Sequence, residues 1–510
     1  MPSAKDHLIT AIRRFLGCFS AGSSPAGADA ADPVPVPAGS VTRGGGDDAP
    51  SLDASTGGGD DLIGSMPDQI LSSIVSLLPV TDAARTAVLS SQWHGLWSST
   101  PLVFQDSDLI LARNFAGVAP VAEAVSRIIE SHPGPFRTVT LTSYFPEAER
   151  DTFAGWIRAV AAKGVRDLTL HNIPWSGLYV LPSDLLHCCS SLERLHVRVW
   201  RFPATTGVLH RGGDGTPPSF PHLRELVLNR SSIEEVDLEN MVACSPAMQT
   251  LVFVFSWGVP ERVRLVSGSL RCVMLWQSVV AQLAVVAAPL LERIVLWGSS
   301  GPYYGYLMRI RISRASSIKA IGYLKPTAHR LQIDGTVIKP GLRASPEEVA
   351  VPSVKILGLQ VRFGVAAEAR MVSCLLRCFP NVETLHLMPV EDPRCPALLG
   401  DFEFWEDINS VECVRYSIKK VVFHGFSWKN SEIAFINSII EGGLVLEKIY
   451  IFFRRPYDTI SDEELNAKLS MVASLSIGLG RTEIIFSGED QTWYYKIAAD
   501  LSRADPFDCS

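Results

Sequence analysis

The segment FPHLRELVL, residues 220–228, carries a pattern that returns along the chain. A proline or serine precedes an apolar residue, two mostly polar residues follow, and an apolar-x-apolar triplet ends the unit. In this copy the apolar positions are Leu223, Leu226 and Leu228. The final alternation is typical of a strand with one buried face. Further copies are SSLERLHV (190–197), SPAMQTLVF (245–253), GSLRCVML (268–275), APLLERIVL (288–296), VPSVKILGL (351–359) and FPNVETLHL (379–387).

The spacing of the copies indicates a repeat array. The first apolar positions of the copies from Leu192 to Leu291 are separated by 31, 25, 22 and 21 residues. Leucine-rich repeats recur about every 20–29 residues. A single copy cannot bury its apolar face, whereas stacked copies form a continuous core. Residues 297–353 are irregular and hold degenerate copies such as SSIKAIGYL (316–324). We therefore predict an α/β repeat fold, an irregular leucine-rich-repeat solenoid over residues 106–410, with an ordinary α/β domain as the alternative.

Upstream, residues 61–101 contain the start and stop signals of short helices: DLIGSMPDQILSSIVSLLPVTDAARTAVLSSQWHGLWSSTP. Pro67 suits a first helical turn, Pro79 ends that helix, and Thr81 is placed to cap a second helix that holds Ala84, Val88 and Leu89. The first helix has one apolar face, formed by Ile70, Leu71, Ile74, Leu77 and Leu78. A third helical turn carries Trp93, Leu96 and Trp97. Helices this short rarely close a core alone, so they either pack on the rest of the chain or leave part of their surface for a partner.

Downstream, residues 416–453 read YSIKKVVFHGFSWKNSEIAFINSIIEGGLVLEKIYIFF. The pattern predicts a strand over Ile418–Phe423, a turn at Gly425, a helix capped by Ser431 and ended by Gly442-Gly443, and a strand over Leu446–Phe453. The apolar spacing of both strands repeats that of the solenoid copies. We therefore expect this segment to extend the repeat sheet and seal its end, as atypical terminal units do in solenoids.

The upstream segment resembles the plant F-box, in which L-P-D-x-I/L-L-x-x-I-x-S-L-L-P leads into T-D-A-x-R-T-x-V-L-S and W-x-x-L-W. Met66, Gln69, Gln92 and His94 depart mildly from that pattern. The downstream segment, within residues 411–510, is similar to the FBD domain of many plant F-box proteins. The whole chain thus resembles the plant F-box/FBD/leucine-rich-repeat family. The resemblance implies a short three-helix F-box at residues 61–105, followed by the solenoid and by an FBD-type β-α-β cap.

The resemblance also implies a function. An F-box docks onto a Skp-type adaptor, which links it to a cullin scaffold. The chain is therefore expected to be the non-catalytic substrate-recognition subunit of a Skp-cullin-F-box E3 ubiquitin ligase, with an unidentified protein substrate on its repeats. The alternatives are a solenoid receptor whose repeats bind a small-molecule ligand, and a non-ligase interaction scaffold. The residues at the family's adaptor-docking positions are Met66, Pro67, Ile70, Leu71, Ile74, Leu77, Leu78, Val88, Leu89, Trp93, Leu96 and Trp97.

The composition and the absence of certain motifs argue against several other classes of protein. A formal net charge of −7 argues against a nucleic-acid-binding protein, which needs a basic face. The longest apolar stretch, Ser278–Leu291, is interrupted and too short to span a bilayer, so no membrane partner is expected. The ten cysteines form no C-x-x-C knuckle, which indicates reduced thiols of an intracellular protein, in the cytoplasm or the nucleus, and no metal site. Because the sequence has no catalytic or dinucleotide motif, we expect no catalytic residues and no cofactor.

Two groups of side chains admit more than one interpretation. Aromatic residues near predicted strand ends suit either a recognition surface or the packing between repeats. They are Trp257, Trp276, Trp297, Tyr303, Tyr304 and Tyr306. Histidines in or near the repeat strands are expected to be solvated or core residues rather than ligands or bases. They are His171, His196, His222 and His386.

The start of the sequence generates a first testable prediction. Residues 21–60 contain almost no large apolar side chains, so residues 1–60 are expected to form a disordered tail. Removing residues 1–60 should leave both the Tm and adaptor binding unchanged, because this segment buries little apolar surface. Calorimetry of the full and shortened chains measures the effect. A large fall in Tm would show instead that the tail packs on the folded body.

Overall fold

A sheet of fourteen parallel strands runs through the described part of the chain in this computed structural model. The structure describes residues 66–107, 109, 119–143, 150–173, 178–188, 190–212, 219–257, 260–302, 306–313, 317–338, 350–390, 402–453, 482–487 and 507, so the predicted tail lies outside the described residues. The strands are β1 (Leu102–Gln105), β2 (Phe136–Ser143), β3 (Asp167–Asn172), β4 (Tyr179–Val180), β5 (Arg194–Arg198), β6 (Trp200–Arg201), β7 (Glu225–Asn229), β8 (Thr250–Val254), β9 (Arg262–Val266), β10 (Cys272–Trp276), β11 (Gln282–Ala287), β12 (Arg293–Trp297), β13 (Met308–Ile312), β14 (Ala320–Leu324), β15 (His329–Ile333), β16 (Thr336–Val337), β17 (Ile356–Val361), β18 (Thr384–Pro389), β19 (Lys420–Phe426), β20 (Lys448–Phe453) and β21 (Glu483–Ser487). The order in the main sheet is β1-β2-β3-β5-β7-β8-β10-β12-β14-β17-β18-β19-β20-β21.

The repeat leucines stack in register across this sheet. Leu195 pairs with Leu226, Leu226 with Leu251, Leu251 with Val273, and Val273 with Ile294. All five side chains are fully buried in one continuous core, and each burial contributes about 1.5–3 kcal/mol. The α/β repeat predicted from the spacing is confirmed, because each copy supplies one strand and one layer of this core.

The return path from one strand of the main sheet to the next differs along the chain. Helices provide it toward both ends: α4 (Ala119–Ser131), α5 (Arg150–Ala162), α6 (Asp184–Cys188), α7 (Glu235–Ala243) and α8 (Ala366–Cys378). In the middle, β9, β11, β13 and β15 form a second parallel sheet, which β16 extends in antiparallel orientation. Its side chains Val263, Leu283, Ile310 and Leu331 are buried in the same core as the repeat leucines. The central repeats are therefore two-sheeted.

Three short helices precede the first strand: α1 (Asp68–Val75), α2 (Val80–Thr86) and α3 (Ser91–Ser99). Pro67 and Pro79 hold the positions before α1 and α2. Thr81 lies inside α2 rather than at its cap, because the helix begins after Pro79, two residues earlier than expected. The expected second helix was also too long, since α2 ends before Val88 and Leu89. The short strand β1 follows the three helices and pairs with β2, so the predicted F-box continues directly into the main sheet.

The predicted cap also belongs to the main sheet. β19, β20 and β21 add to it in parallel, and α10 (Asn430–Gly442) crosses between β19 and β20. A 3-10 helix (Glu403–Ser410) and α9 (Glu412–Tyr416) come before β19. Ser431 is a buried residue of the first turn rather than the cap, because the Glu432 carboxylate accepts hydrogen bonds from the backbone N–H groups of Ser427 (2.9 Å) and Lys429 (3.3 Å) instead. Gly425 makes no turn but lies within β19, at a break in its register with β20.

A column of buried serines closes the turns after four consecutive repeat strands. Ser231, Ser256, Ser278 and Ser299 each lie two residues beyond a strand and are at most 3% exposed. Their hydroxyls donate to nearby strand carbonyls, as Ser299 does to the Leu275 carbonyl at 2.7 Å. The residue before each serine has a positive φ, and three of these four are not glycine: Arg230, Phe255 and Gln277. Such a backbone costs energy, and the hydrogen bonds of the buried hydroxyls offset part of that cost.

The continuity of the sheet into the cap predicts the effect of a truncation. Ending the chain after residue 410 removes β19 and leaves the β18 edge at Thr384–Leu387 without its partner. It also removes α10, whose buried side holds Phe435, Ile436 and Ile439. We expect aggregation or loss of cooperative unfolding, because an uncovered apolar edge pairs with other chains. Size-exclusion chromatography and urea unfolding measure this against the full chain. A soluble, monomeric and equally stable fragment 1–410 would show that the cap folds as a separate module.

Candidate functional site

The three-helix segment leaves part of its apolar surface uncovered. Met66 is 37% exposed, Ile70 49% and Val88 84%. Pro67 is also exposed. These are four of the twelve positions assigned to adaptor docking, and in this structure they are free to contact a partner.

The other eight assigned positions pack inward to different degrees. Half-buried residues are Ile74, Leu77, Leu89 and Trp97. Residues at most 8% exposed are Leu71, Leu78, Trp93 and Leu96. The buried four belong to the same continuous core as the repeats. They cannot touch a partner in this conformation, so any part they play in docking is to hold the three helices in place.

Polar and aromatic contacts fix these helices against the sheet. Pro79 forms a parallel bridge with Val103 of β1. The Ser72 and Thr100 hydroxyls are 2.8 Å apart. The Trp97 ring meets His132 edge-on, with 5.0 Å between ring centroids, so α3 packs on the residue that follows α4. The segment is therefore a rigid extension of the solenoid.

Asp106, directly after β1, makes the strongest polar link at this junction. It is 1% exposed, and its carboxylate accepts hydrogen bonds from the Thr142 backbone N–H and, at 2.9 Å, from the Thr142 hydroxyl. Burial raises the pKa of Asp106 from 3.8 to about 6, although the two bonds from Thr142 oppose the shift. The carboxyl group thus links the end of β1 to β2.

The main sheet offers a second candidate surface, its front face, defined by the residues that alternate with the repeat leucines. Val227, Val252, Met274 and Val295 lie side by side on this face. All four are at most 1% exposed and belong to a second apolar cluster, separate from the main core. Sequence reasoning missed this cluster. Its signal was present, since the central repeat strands hold apolar runs such as Leu226-Val227-Leu228 rather than a strict alternation, which is typical of strands buried on both faces.

The later strands of the front face carry a polar aromatic cluster. Two groups lie within hydrogen-bond distance of the His424 Nε2: the Tyr323 hydroxyl at 3.4 Å and the His386 Nδ1 at 3.3 Å. Burial lowers the pKa of His424 to about 4. Burial also lowers the pKa of His386 well below its ordinary value, and the charges of His424 and Lys420 lower it further. Both imidazoles are therefore neutral at pH 7. His386 is fully buried, which confirms its interpretation as a core residue.

The predicted aromatic residues divide between the two interpretations. Trp276 is buried in the front-face cluster and Trp297 packs against it. Trp257 and Tyr306 are 74% and 68% exposed, which suits a recognition surface. Tyr303 and Tyr304 lie outside the described residues.

Several expected features can be compared with the described part of the chain. Six cysteines in that part are free thiols: Cys188, Cys244, Cys272, Cys374, Cys378 and Cys413. The described residues contain no cluster of three or more His, Cys, Asp or Glu that could hold a metal ion. Among the helices that the structure describes, none combines the length and the apolar character needed to cross a bilayer.

Comparison with known families matches three models in succession. They are an F-box domain at residues 63–105, the LRR repeats of the FBD-associated F-box protein At5g56370 at residues 153–387, and FBD at residues 406–451. The fold and the order of the three units agree with these matches. The chain therefore carries the three domains of F-box/FBD/leucine-rich-repeat proteins, in the same order.

Curated relatives from Arabidopsis thaliana have similar architectures. The chain is 33% identical over 142 residues to F-box/LRR-repeat protein At3g26922, a match that covers 28% of this chain and 45% of the relative. It is 21% identical over 409 residues to the putative FBD-associated F-box protein At1g55030, covering 75% of this chain and 88% of the relative. The chain spans about half the length of the first curated relatives, 43–50%. A match to the crystal structure of the APL1 leucine-rich repeat domain, at 11% identity, covers 60% of this chain and 82% of that one, but its TM-score of 0.20 is too low to support a conclusion about the fold.

The buried Asp106 carboxyl group predicts a pH dependence of stability. Because its pKa is higher in the folded chain, the folded state retains the proton that the unfolded state releases between pH 4 and 6. As the pH rises from 4 to 6, the free energy of unfolding should therefore fall relative to that of Asp106→Asn by about 2 kcal/mol, and the difference should be nearly constant above pH 7. Urea unfolding of both proteins from pH 4 to 7.5 measures it. A pH-independent difference would contradict this assignment.

Proposed function

We propose that this chain is the substrate-recognition subunit of a Skp-cullin-F-box E3 ubiquitin ligase. The F-box binds a Skp-type adaptor, the adaptor links it to a cullin, and the repeats bind a protein substrate. Catalysis resides in other subunits, inside the cell, in the cytoplasm or the nucleus. Holding a substrate in the same complex as the transfer machinery raises its effective concentration there, which makes ubiquitin transfer nearly intramolecular.

One observation supports this function above the others: the F-box helices expose apolar side chains while their buried side is fused to the repeat sheet. Met66, Ile70 and Val88 face solvent, whereas Leu71, on the same helix as Ile70, is fully buried in the core. A helical segment that only capped the solenoid would turn its large apolar residues inward. The arrangement suits a docking surface whose orientation relative to the repeats is fixed.

The exposed positions predict the outcome of a binding experiment. Replacing both Met66 and Ile70 with alanine should weaken adaptor affinity by about thirty-fold, since each half-exposed side chain would lose about 1 kcal/mol of apolar burial. Isothermal titration calorimetry with a purified Skp-type adaptor measures the change.

The control for this experiment is Val236→Ala in α7, which removes an apolar side chain of similar exposure, 60%, from the repeats. It should leave adaptor affinity unchanged, and both variants should keep the native Tm. By contrast, Leu71→Ala should lower the Tm, because Leu71 is fully buried. Native affinity in the Met66/Ile70 double variant would contradict the docking surface. Failure of the unmodified chain to bind any Skp-type adaptor would favour a non-ligase scaffold.

A further inference from the structure

The front face is apolar where a solenoid exposes its binding surface, and one aromatic side chain from elsewhere in the sequence covers part of it. Phe507 follows β21 in the chain, is 8% exposed, and belongs to the front-face cluster. Its ring stacks on Tyr323 with 5.6 Å between centroids and 7° between planes. His386 meets the same ring edge-on at 5.5 Å, and the Arg293 guanidinium lies 5.7 Å from its centroid. The ring is thus held on three sides by groups that favour aromatic faces.

Gly358 makes the space for this ring. A Cβ atom at position 358 would lie 3.2 Å from Cε1 of Phe507 and 3.1 Å from Cγ of Tyr323. Both distances are shorter than ordinary carbon–carbon contacts. A side chain at this position would therefore displace the ring, the stacking partner, or both. Glycine in the middle of a strand marks a close approach by another group, and here that group is aromatic.

The floor of this pocket carries unused hydrogen-bonding capacity. The His386 Nε2 is buried and has no hydrogen-bond partner among the described residues. Leaving such a group unpaired costs about 1–3 kcal/mol. A bound segment that brings a polar group beside the aromatic ring would recover this energy, which Phe507 does not do.

Charge indicates what would flank such a ring. The sequence around Phe507 is Asp505-Pro506-Phe507-Asp508, with acidic residues on both sides. The cations on the front face beside the pocket are Arg293, next to the ring, and Lys420, whose charge contributes to lowering the pKa of His386. The face therefore complements an acidic segment.

We propose that this pocket recognises an aromatic side chain flanked by acidic residues in a protein substrate, and that Phe507 occupies it as a built-in competitor. The proposal rests on the proposed function, since it places the substrate on the repeats. Substrate binding then requires Phe507 to leave. An intramolecular occupant raises the affinity that an external segment needs, so weakly matching proteins are excluded.

The test uses the full-length chain and a labelled peptide with the sequence of residues 503–510, carrying serine in place of Cys509 to prevent oxidation. Fluorescence anisotropy compares its binding to the native chain and to Phe507→Ala. We expect at least ten-fold tighter binding to the variant, loss of binding when the peptide has alanine in place of its phenylalanine, and weaker binding when asparagine replaces its two aspartates. Adding Gly358→Ala to the variant should abolish binding. Equal affinity for both chains, or binding unaffected by Gly358→Ala, would overturn the proposal.

Two further measurements distinguish a failure of this inference from a folding defect and from a failure of the proposed function. Phe507→Leu retains apolar volume without the stacked ring, so it replaces Phe507→Ala if the latter does not fold; failure of both variants to fold would show that Phe507 is only a core residue. Skp-type adaptor binding is measured on the same variants and should remain native. Intact adaptor binding without peptide binding overturns this inference alone, whereas a chain that binds the peptide but no adaptor contradicts the proposed function.

Discussion

The hydrogen bonds of the buried serine column hold the repeats together. After β7, β8, β10 and β12, a residue with positive φ directs the chain out of the main sheet. The ladder of backbone hydrogen bonds continues through Arg230, Phe255 and Gln277, as from the Phe255 N–H to the Trp276 carbonyl at 2.9 Å. The serine that follows adds a hydrogen bond to a backbone carbonyl near the turn, as from Ser299 to the Leu275 carbonyl at 2.7 Å. Replacing such a serine by an apolar residue would remove a hydrogen bond that contributes about 0.5–1.5 kcal/mol. In-register stacking of the leucine layers depends on this repeated turn.

A sheet stacked in this way has two faces and two edges, and the chain uses all four. The helices and the second sheet cover one face, and Phe507 covers part of the other. The F-box occupies one edge through β1, and the FBD strands lie toward the opposite edge. A partner can therefore bind only where apolar side chains remain exposed or where the group that covers a face can be displaced. These are the exposed side chains of the F-box and the pocket on the front face.

Most of the fold could be predicted because it follows from periodicity. Leu223, Leu226 and Leu228 lie where their spacing indicates, and the FBD segment continues the sheet as its strand spacing implied. The second sheet was missed although some of its strands alternate strictly, as in Met308-Arg309-Ile310-Arg311-Ile312, because these short segments lie between the repeat copies and are not part of the leucine spacing. The capping positions were wrong at Thr81 and Ser431, since α2 begins after Pro79 without a side-chain cap and the Glu432 carboxylate binds the backbone before α10.

The candidate site was predictable only in part. Sequence similarity gave twelve docking positions without separating Ile70, which is exposed, from Leu71, which is buried, because adjacent helix residues differ in direction and only packing decides which is covered. The pocket around Gly358 could not be foreseen, since it joins residues from β12, β14, β17 and β18 to Phe507, which is far from them in sequence. Contacts of this kind depend on tertiary structure, and no local pattern encodes them.

The fixed spacing of parallel strands makes the solenoid a molecular ruler. Nine strand intervals separate β1, which carries the F-box, from β17, which carries Gly358. At about 4.8 Å per interval, a ligand at Gly358 would lie roughly 40 Å from the F-box, measured across the sheet. Inserting or deleting one repeat would change that reach by a single strand spacing without altering either binding surface. Proteins built on this plan can therefore adjust to substrates of different size by changing the number of repeats, while the chemistry of recognition stays the same.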